Sequence, residues 1–344
     1  MKSLSIKYRP KTFEDVTEQS VTIDILKAAV ENKTFKHAYL FAGKSGCGKT
    51  TIARIFANAI NENEGSPIEI DGASNNGVDN VEAIVSTANQ TYVLAKYKIY
   101  IIDECHMLTT AAWNAFLKGI EEPAETTIYI FCTTEPEKVP LTVRNRVQEY
   151  RITPISNEGI RNRLLKICAN EGFTNYEQGC DLISKLAHGG MRDAITYLEQ
   201  CAGYSTDLSV ENIKTVLGDS SYETMLRLTN TLVDRNEAKA LEIIENIYNS
   251  GKDLKNFINS YFDFVLDANK YILFKNINLT NIPSYLTETT DKEININYTV
   301  GIENPLPWYN RLADRVLEIK LAIKNDPTYK TTIEAYLMKT CRGM

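Results

Sequence analysis

The chain of 344 residues carries 38 lysines and arginines against 44 aspartates and glutamates, a formal charge of −6, with 43% apolar and 24% charged residues. This is globular composition: it excludes a disordered or fibrous chain and leaves length for two or three domains with cores of their own. No apolar run reaches the roughly 18 residues of a membrane span, the first residues have no apolar stretch of a secretion signal, and the lack of basic excess, in residues 1–150 as in the whole, argues by itself against a nucleic-acid surface.

Seven cysteines, an odd number, are scattered with no CxxC pair, so neither a zinc knuckle nor a dithiol motif is available. Several sit inside apolar runs, as small core residues do. A reducing, cytoplasmic setting is the plain reading.

In chain order, Ala38–Ala42 is a short buried strand, followed at once by glycines and by a helix over Thr50–Ile60. Pro67–Asp71 is a second strand, Val78 to about Leu94 a helix, Lys98–Asp103 a third strand and Thr127–Cys132 a fourth. Val147–Ile152 alternates and reads as a fifth. Short strands interleaved with helices predict βαβ units and an α/β fold built on a parallel sheet covered by helices. After Pro154 the strand signal ends. Ser156-Asn157-Glu158 caps an amphipathic helix through Ala169, and further helices follow at 176–187, 191–203 and 209–216. The break at Leu217-Gly218-Asp219-Ser220-Ser221 marks the next boundary. From Tyr222 to Thr340 the pattern is helical again, with a polar interruption over 276–304. The expected domains are thus 1–154 (α/β), 155–218 (an all-α lid) and 219–344 (all-α).

Gly43-Lys44-Ser45-Gly46-Cys47-Gly48-Lys49-Thr50 satisfies GxxxxGK[ST] between a strand and a helix. Its glycines let backbone N–H groups converge on phosphate oxygens at a helix N-terminus. Lys49 is placed for the β- and γ-phosphates and the Thr50 hydroxyl for Mg²⁺; a chance glycine turn is the weaker explanation in this context. Asp103 and Glu104 end an apolar strand at the sheet edge where such folds bind ligands. Asp103 would hold Mg²⁺ and Glu104 would polarise the attacking water. Alone, the pair would read as a solvated turn.

Cys132-Thr133-Thr134 ends the neighbouring strand, so a threonine hydroxyl there could reach the γ-phosphate or that water, although threonine is common at strand ends. Arg144-Asn145-Arg146 lies too far from its own P-loop in a simple layout, and an arginine there suits a neighbour's nucleotide in trans, although surface arginines are commonly just solvated. Arg192, in the first turn of a lid helix, could fold over the phosphates; an ordinary helix start with Asp193 favouring the dipole is the competing account.

With these residues assembled, the chain resembles the gamma/tau family of bacterial DNA polymerase III subunits, the clamp-loader motors among the AAA+ ATPases. The resemblance is dense over residues 4–218: Tyr8-Arg9-Pro10-Lys11-Thr12-Phe13, His37–Thr51, Ile68–Val78, Ile101–Leu108, Asn114–Pro123 and Gly190–Ala194 carry it. Beyond that it is loose, with Asn325-Asp326-Pro327 and the helix containing Glu334 similar to the family's last collar helix. The resemblance implies that Tyr8, Arg9 and Val16 cradle adenine and that Gly43–Thr51, including Lys44, Ser45 and Thr51, form the phosphate loop. It implies further that Asp103 and Glu104 are the metal-binding and water-activating carboxylates, Thr134 and Arg192 the two sensors, and Arg146 the trans arginine.

DNA contact is implied at Ser74, Asn75, Asn76, Thr109 and Thr110, neutral groups at helix starts that suit phosphate oxygens without any basic patch. The Asn75-Asn76-Gly77 stretch alone would read as a turn.

Three departures stand out. Asn58–Pro67 contains no cysteine where the family inserts a four-cysteine module, so ATP and Mg²⁺ are expected but no zinc. Asn145-Arg146-Val147 replaces Ser-Arg-Cys. Glu18 replaces a glycine at the adenine end. The resemblance also implies a short form without the long member's extensions, suited to a bacterium or a phage.

The expected activity is therefore ATP hydrolysis by a motor that opens a sliding clamp and loads it onto primer–template DNA, as one subunit of a pentamer, with no membrane partner. Two alternatives are a branch-migration type of AAA+ motor, which would carry a winged-helix domain after the lid, and a P-loop scaffold that binds nucleotide without turnover.

Overall fold

The computed structural model describes residues 3–88, 95–217, 222–251, 253–275, 280–282 and 306–343. Contacts gather the chain into two compact units, Met1–Ile167 with Ala187–Glu199, and Cys168–Leu186 with Gln200–Met344.

In the first unit, β1 (Ala38–Ala42), β2 (Ile68–Asp71), β3 (Lys98–Asp103), β4 (Thr127–Thr133) and β5 (Gln148–Arg151) form one parallel sheet in the order β2-β3-β4-β1-β5. β1 and β4 are buried along their whole length, as strands covered on both faces must be. Period-2 alternation then feeds two cores. Tyr39, Phe41, Ile99, Ile101, Ile128 and Ile130 face one, with Ile23 and Leu26 of α2 (Ser20–Glu31) and Ile52 and Phe56 of α3 (Lys49–Ile60). Leu40, Tyr100, Ile102, Tyr129 and Phe131 face the other, with Val81 of α4 (Val78–Ala88) and Trp113 and Phe116 of α5 (Thr110–Glu121). The register pairs Ala42 with Thr133 and Asp71 with Asp103, which brings the C-terminal strand ends to one edge.

The five expected strands and the P-loop helix are present, with ends moved by a residue or two. The expected strand Val147–Ile152 shortens to Gln148–Arg151. The helix expected to reach about Leu94 runs from Val78 to Ala88, and residues 89–94 lie outside the described ones. Four helices of this unit have no span assigned from sequence: α2, α5 and the single turns α1 (Leu4–Lys7) and α6 (Leu141–Arg144). α2 starts after Gln19 in a left-handed conformation with no side-chain cap, and the start of α5 is marked by one capping residue, Thr109, without charge in its first turn.

The second unit is helical. It holds α8 (Glu177–Leu186), α10 (Val210–Leu217), α11 (Tyr222–Val233), α12 (Glu237–Asn249), α13 (Leu254–Phe274) and the helices Leu306–Ala322 and Tyr329–Gly343. The remaining helices are α1 (Leu4–Lys7), α6 (Leu141–Arg144), α7 (Asn157–Glu171) and α9 (Met191–Tyr204), the last two divided between the units. Leu228, Leu232, Ile244, Ile258, Val265 and Leu312 anchor the core of the second unit. Tyr261 is fully buried there; its hydroxyl shares a 2.9 Å hydrogen bond with Thr229, and burial holds its phenol protonated well above the ordinary range. Of the polar interruption expected over 276–304, only 280–282 lies within the described residues, as does only Leu217 of the expected break. No helix among the described residues is long and apolar enough to cross a membrane.

One glycine here makes a close approach. A Cβ on Gly179 of α8 would lie 2.3 Å from the Leu208 carbonyl oxygen and 2.4 Å from Ile213 Cδ1. Gly179→Ala should destabilise the chain by about 1–3 kcal/mol, since overpacking against backbone exceeds the helix-propensity gain of about 1 kcal/mol. The denaturation midpoint measures it, and an unchanged midpoint would count against that packing.

Candidate active site

β1 delivers the chain to Gly43, whose N–H donates to the Thr133 carbonyl at 3.1 Å. Only glycine fits there, because a Cβ would sit 2.2 Å from the Ile152 carbonyl oxygen. Gly46 and Gly48 have φ of 72° and 106°, the left-handed region that lets the loop curl back to the start of α3. Lys49 is 6% exposed, and its Nζ donates to the Gly43 and Lys44 carbonyls at 2.9 Å each. The Cys47 thiol is buried beneath the loop and donates to the Lys44 carbonyl at 2.9 Å. Burial raises its pKa, partly opposed by the Lys49 charge, so it is no nucleophile.

At the edge of β3, Asp103 Oδ2 accepts from the Thr50 hydroxyl at 2.8 Å. A hydroxyl and a carboxylate held together are hard oxygen donors of the kind magnesium takes, and the pair fits that ion. Glu104 follows with φ of 46°, its N–H donating to Asp103 Oδ1 at 3.0 Å. The Thr134 hydroxyl donates to Glu104 Oε2 at 3.3 Å.

The loop from Ser45 to Thr51, Asp103 and Glu104 line one open cleft. Its polar side is Ser45–Thr51, Asp103, Glu104 and Arg192; its apolar side is Tyr8, Pro10, Val16, Ile155, Met191 and Ile195. The lid helix α9 is docked on the loop, the Met191 N–H donating to the Gly46 carbonyl at 3.0 Å. A Cβ on Gly46 would meet Gly190 Cα at 3.1 Å, so two glycines far apart in sequence make room for one contact that brings Arg192 to the cleft.

Of the residues singled out from sequence, Tyr8, Arg9, Val16, Ser45, Gly46, Cys47, Gly48, Lys49, Thr50, Thr51, Asp103, Glu104 and Arg192 line this one cleft. Gly43 and Lys44 stand behind it and hold Lys49. Thr134 touches it through Glu104. Arg146 is outside: exposed, it pairs through Nε with Glu121 at 2.7 Å and donates from Nη1 to the Thr142 carbonyl at 2.8 Å.

Ser74, Asn75 and Asn76 follow β2, and the Asn76 carbonyl accepts from the Thr109 N–H at 3.1 Å, so the two segments proposed for DNA adjoin. Thr109 caps α5 by accepting from the Ala112 N–H, and Thr110 is exposed. The Ser74 hydroxyl donates to Asp71 at 2.6 Å; that bond first, then the Ala73 N–H, keeps the Asp71 carboxyl below its usual range and charged beside these groups.

Arg163 of α7 also lines the cleft and has no signal in the sequence. Its Nη2 donates to the Tyr8 carbonyl at 2.8 Å, fixing the N-terminal arm to the apolar end. Among the three basic residues of that helix, nothing in local spacing distinguishes it.

A parallel sheet in this order, a phosphate loop after β1 and paired carboxylates after β3 define a P-loop α/β ATPase fold of the AAA+ class. The fold alone is shared with the RuvB Holliday junction branch migration motor of Thermotoga maritima, at TM-score 0.52 and 17% identity over 66% of this chain and 79% of that one. The family model for the DNA polymerase III delta subunit matches residues 18–77 and 66–156, and that for domain III of DNA polymerase III subunits gamma and tau matches 208–274. DNA polymerase III subunit tau of Bacillus subtilis is 38% identical over 287 residues, covering 77% of this chain and 51% of its own length. The gamma/tau subunit of Mycobacterium bovis is 32% identical over 276 residues, covering 73% of this chain and 48% of its own. The chain belongs to the DNA polymerase III gamma/tau family, and it spans about half the length of the curated relatives it matches.

Proposed function

We propose that this chain is an ATP-hydrolysing motor subunit of a clamp loader, acting with a sliding clamp, primer–template DNA and other loader subunits in a cytoplasmic complex. The observation that carries the reading is the division of the catalytic set. Lys49, Thr50, Asp103, Glu104 and Arg192 converge on one cleft, while Arg146 stands exposed away from it and suits a neighbouring subunit's nucleotide.

In this reading Lys49 and the N–H groups at the start of α3 bind the phosphates, and Tyr8 and Val16 shelter the adenine. Thr50 and Asp103 hold magnesium, which supplies positive charge against the phosphate oxygens. Glu104 orients and deprotonates the attacking water, Thr134 fixes the carboxylate that does so, and Arg192 reports the γ-phosphate to the lid. Arg146 stabilises transition-state charge in trans. Ser74, Asn75, Asn76, Thr109 and Thr110 meet the DNA backbone at helix starts.

The functional segments are the ATPase domain 1–154, the lid 155–218 and the collar 219–344, the lid's helices falling in both contact units. The link from α3 to β2 has no cysteine or histidine, and no zinc enters the reading.

The test is steady-state ATP hydrolysis by the purified chain with its loader partners, measured with and without clamp and primed DNA. Clamp and DNA together should raise the rate severalfold or more. A rate indifferent to both sinks the loader reading, and no hydrolysis under any condition leaves a nucleotide-binding scaffold.

A further inference from the structure

His106 lies in the 3-10 turn Cys105–Met107, just past the site carboxylates, and its side chain is only 8% exposed. Three other side chains meet its ring. Nδ1 is 3.2 Å from the Thr133 hydroxyl and 3.4 Å from Glu104 Oε2, and Nε2 is 3.2 Å from Glu135 Oε1. Glu135 is in turn paired with Lys138 at 2.9 Å, and its N–H donates to the Thr133 hydroxyl oxygen at 3.0 Å. A buried imidazole thus spans the gap between a carboxylate in the cleft and a carboxylate on the segment that leads to Arg146.

We propose that His106 is a positioning residue for Glu104: wedged between the Glu104 and Glu135 carboxylates, its ring sets the direction in which the Glu104 carboxylate meets the attacking water. The inference rests on Glu104 acting as the general base. The Glu104 side chain is 41% exposed, so solvent alone would let it sample several rotamers. Its backbone is fixed by the bond to Asp103, but its carboxylate is met only by the Thr134 hydroxyl and the His106 ring among the contacts described. Both meet the same oxygen, Oε2, which leaves Oε1 for a water in the cleft.

Carboxylates only accept. In a neutral ring one of the two carboxylates therefore faces a donor, and a protonated ring donates to both. A general base displaced by about 1 Å loses on the order of 100-fold in rate, so a ring that fixes one carboxylate oxygen acts on turnover and not on nucleotide affinity. A ring present only to fill space would not place both nitrogens on polar partners.

The experiment compares His106→Ala, His106→Asn, His106→Leu, Glu104→Gln and the His106→Ala/Glu104→Gln double variant in the full chain with its loader partners, clamp and primed DNA. kcat and KM for ATP, the Kd of a fluorescent ATP analogue and the melting temperature are read for each.

His106→Ala should lower kcat about tenfold or more with KM and Kd within twofold. His106→Asn, whose amide nitrogen overlies Nδ1, should recover most of the loss. His106→Leu fills the space without either nitrogen; it should melt like the wild type and turn over like His106→Ala. In the Glu104→Gln background, removing His106 should add nothing.

Wild-type kcat in a folded His106→Leu protein overturns the proposal, as does a full multiplicative loss in the double variant. Wild-type turnover in Glu104→Gln alone would instead defeat the reading of Glu104 as the base. The two failures are therefore distinguishable.

Discussion

Lys49→Ala is expected to reduce ATP hydrolysis by on the order of 10²–10³-fold or more and to weaken ATP binding, because it removes the one ammonium held inside the phosphate loop. Lys49 is 6% exposed and its ammonium is gripped by the Gly43 and Lys44 carbonyls, so its charge is screened little by solvent and bears on any phosphate seated at the start of α3. The fold should survive. Ile52, Ala53 and Phe56, not Lys49, anchor α3 in the core, and the loop keeps its glycine turns. Equilibrium binding of a fluorescent ATP analogue, steady-state phosphate release and a melting curve check the three parts separately. Normal turnover in a folded Lys49→Ala protein would show that the cleft is not where ATP is hydrolysed.

Arg146→Ala should separate binding from chemistry. ATP affinity is expected to stay within about twofold, since Arg146 does not line its own cleft, while turnover in the assembled complex falls by on the order of 10³-fold, the scale of a missing trans arginine. Its present partners favour that role over a purely structural one. The pair with Glu121 is exposed on both sides, and such pairs contribute about 0–1 kcal/mol, too little to explain a large loss through stability. A mixing experiment fixes the direction of action. Lys49→Ala subunits keep an intact Arg146, and Arg146→Ala subunits keep an intact cleft. Co-assembled, they should recover part of the activity that neither has alone. A mixture as inactive as its components would place Arg146 in its own subunit's site or outside the chemistry.

Much of this was legible locally. The phosphate loop spans consecutive residues, and its chemistry needs glycines, a lysine and a hydroxyl at set spacing, so Gly43–Thr50 can be read without any tertiary information. The buried strands announce themselves as apolar runs, and Asp103 and Glu104 stand out because charge at the end of such a run must lie at the sheet edge. α2 was less legible because its start has no side-chain cap, and α5 because a single capping threonine, Thr109, marks it, even though their apolar faces pack firmly on the sheet.

Other features exist only through long-range contacts. Arg163 reaches the Tyr8 carbonyl across 155 positions of chain, Met191 docks on Gly46, and His106 meets Glu135 only because β3 and β4 are neighbours in the sheet. No periodicity encodes such pairs; each depends on where two separately formed elements are packed together.

The near-neutral, slightly acidic balance likewise reads differently against the fold. Composition shows no basic excess, but it cannot say that the Asn76 and Thr109 segments adjoin at the start of α5. The residue types in the chain thus set the chemistry on offer, a glycine-rich loop with its lysine, a hydroxyl–carboxylate pair and a second carboxylate beside it. Packing selected which distant side chains orient that chemistry, and it left Arg146 outside the cleft, because a side chain's reach is measured in ångströms across the fold and not in positions along the chain.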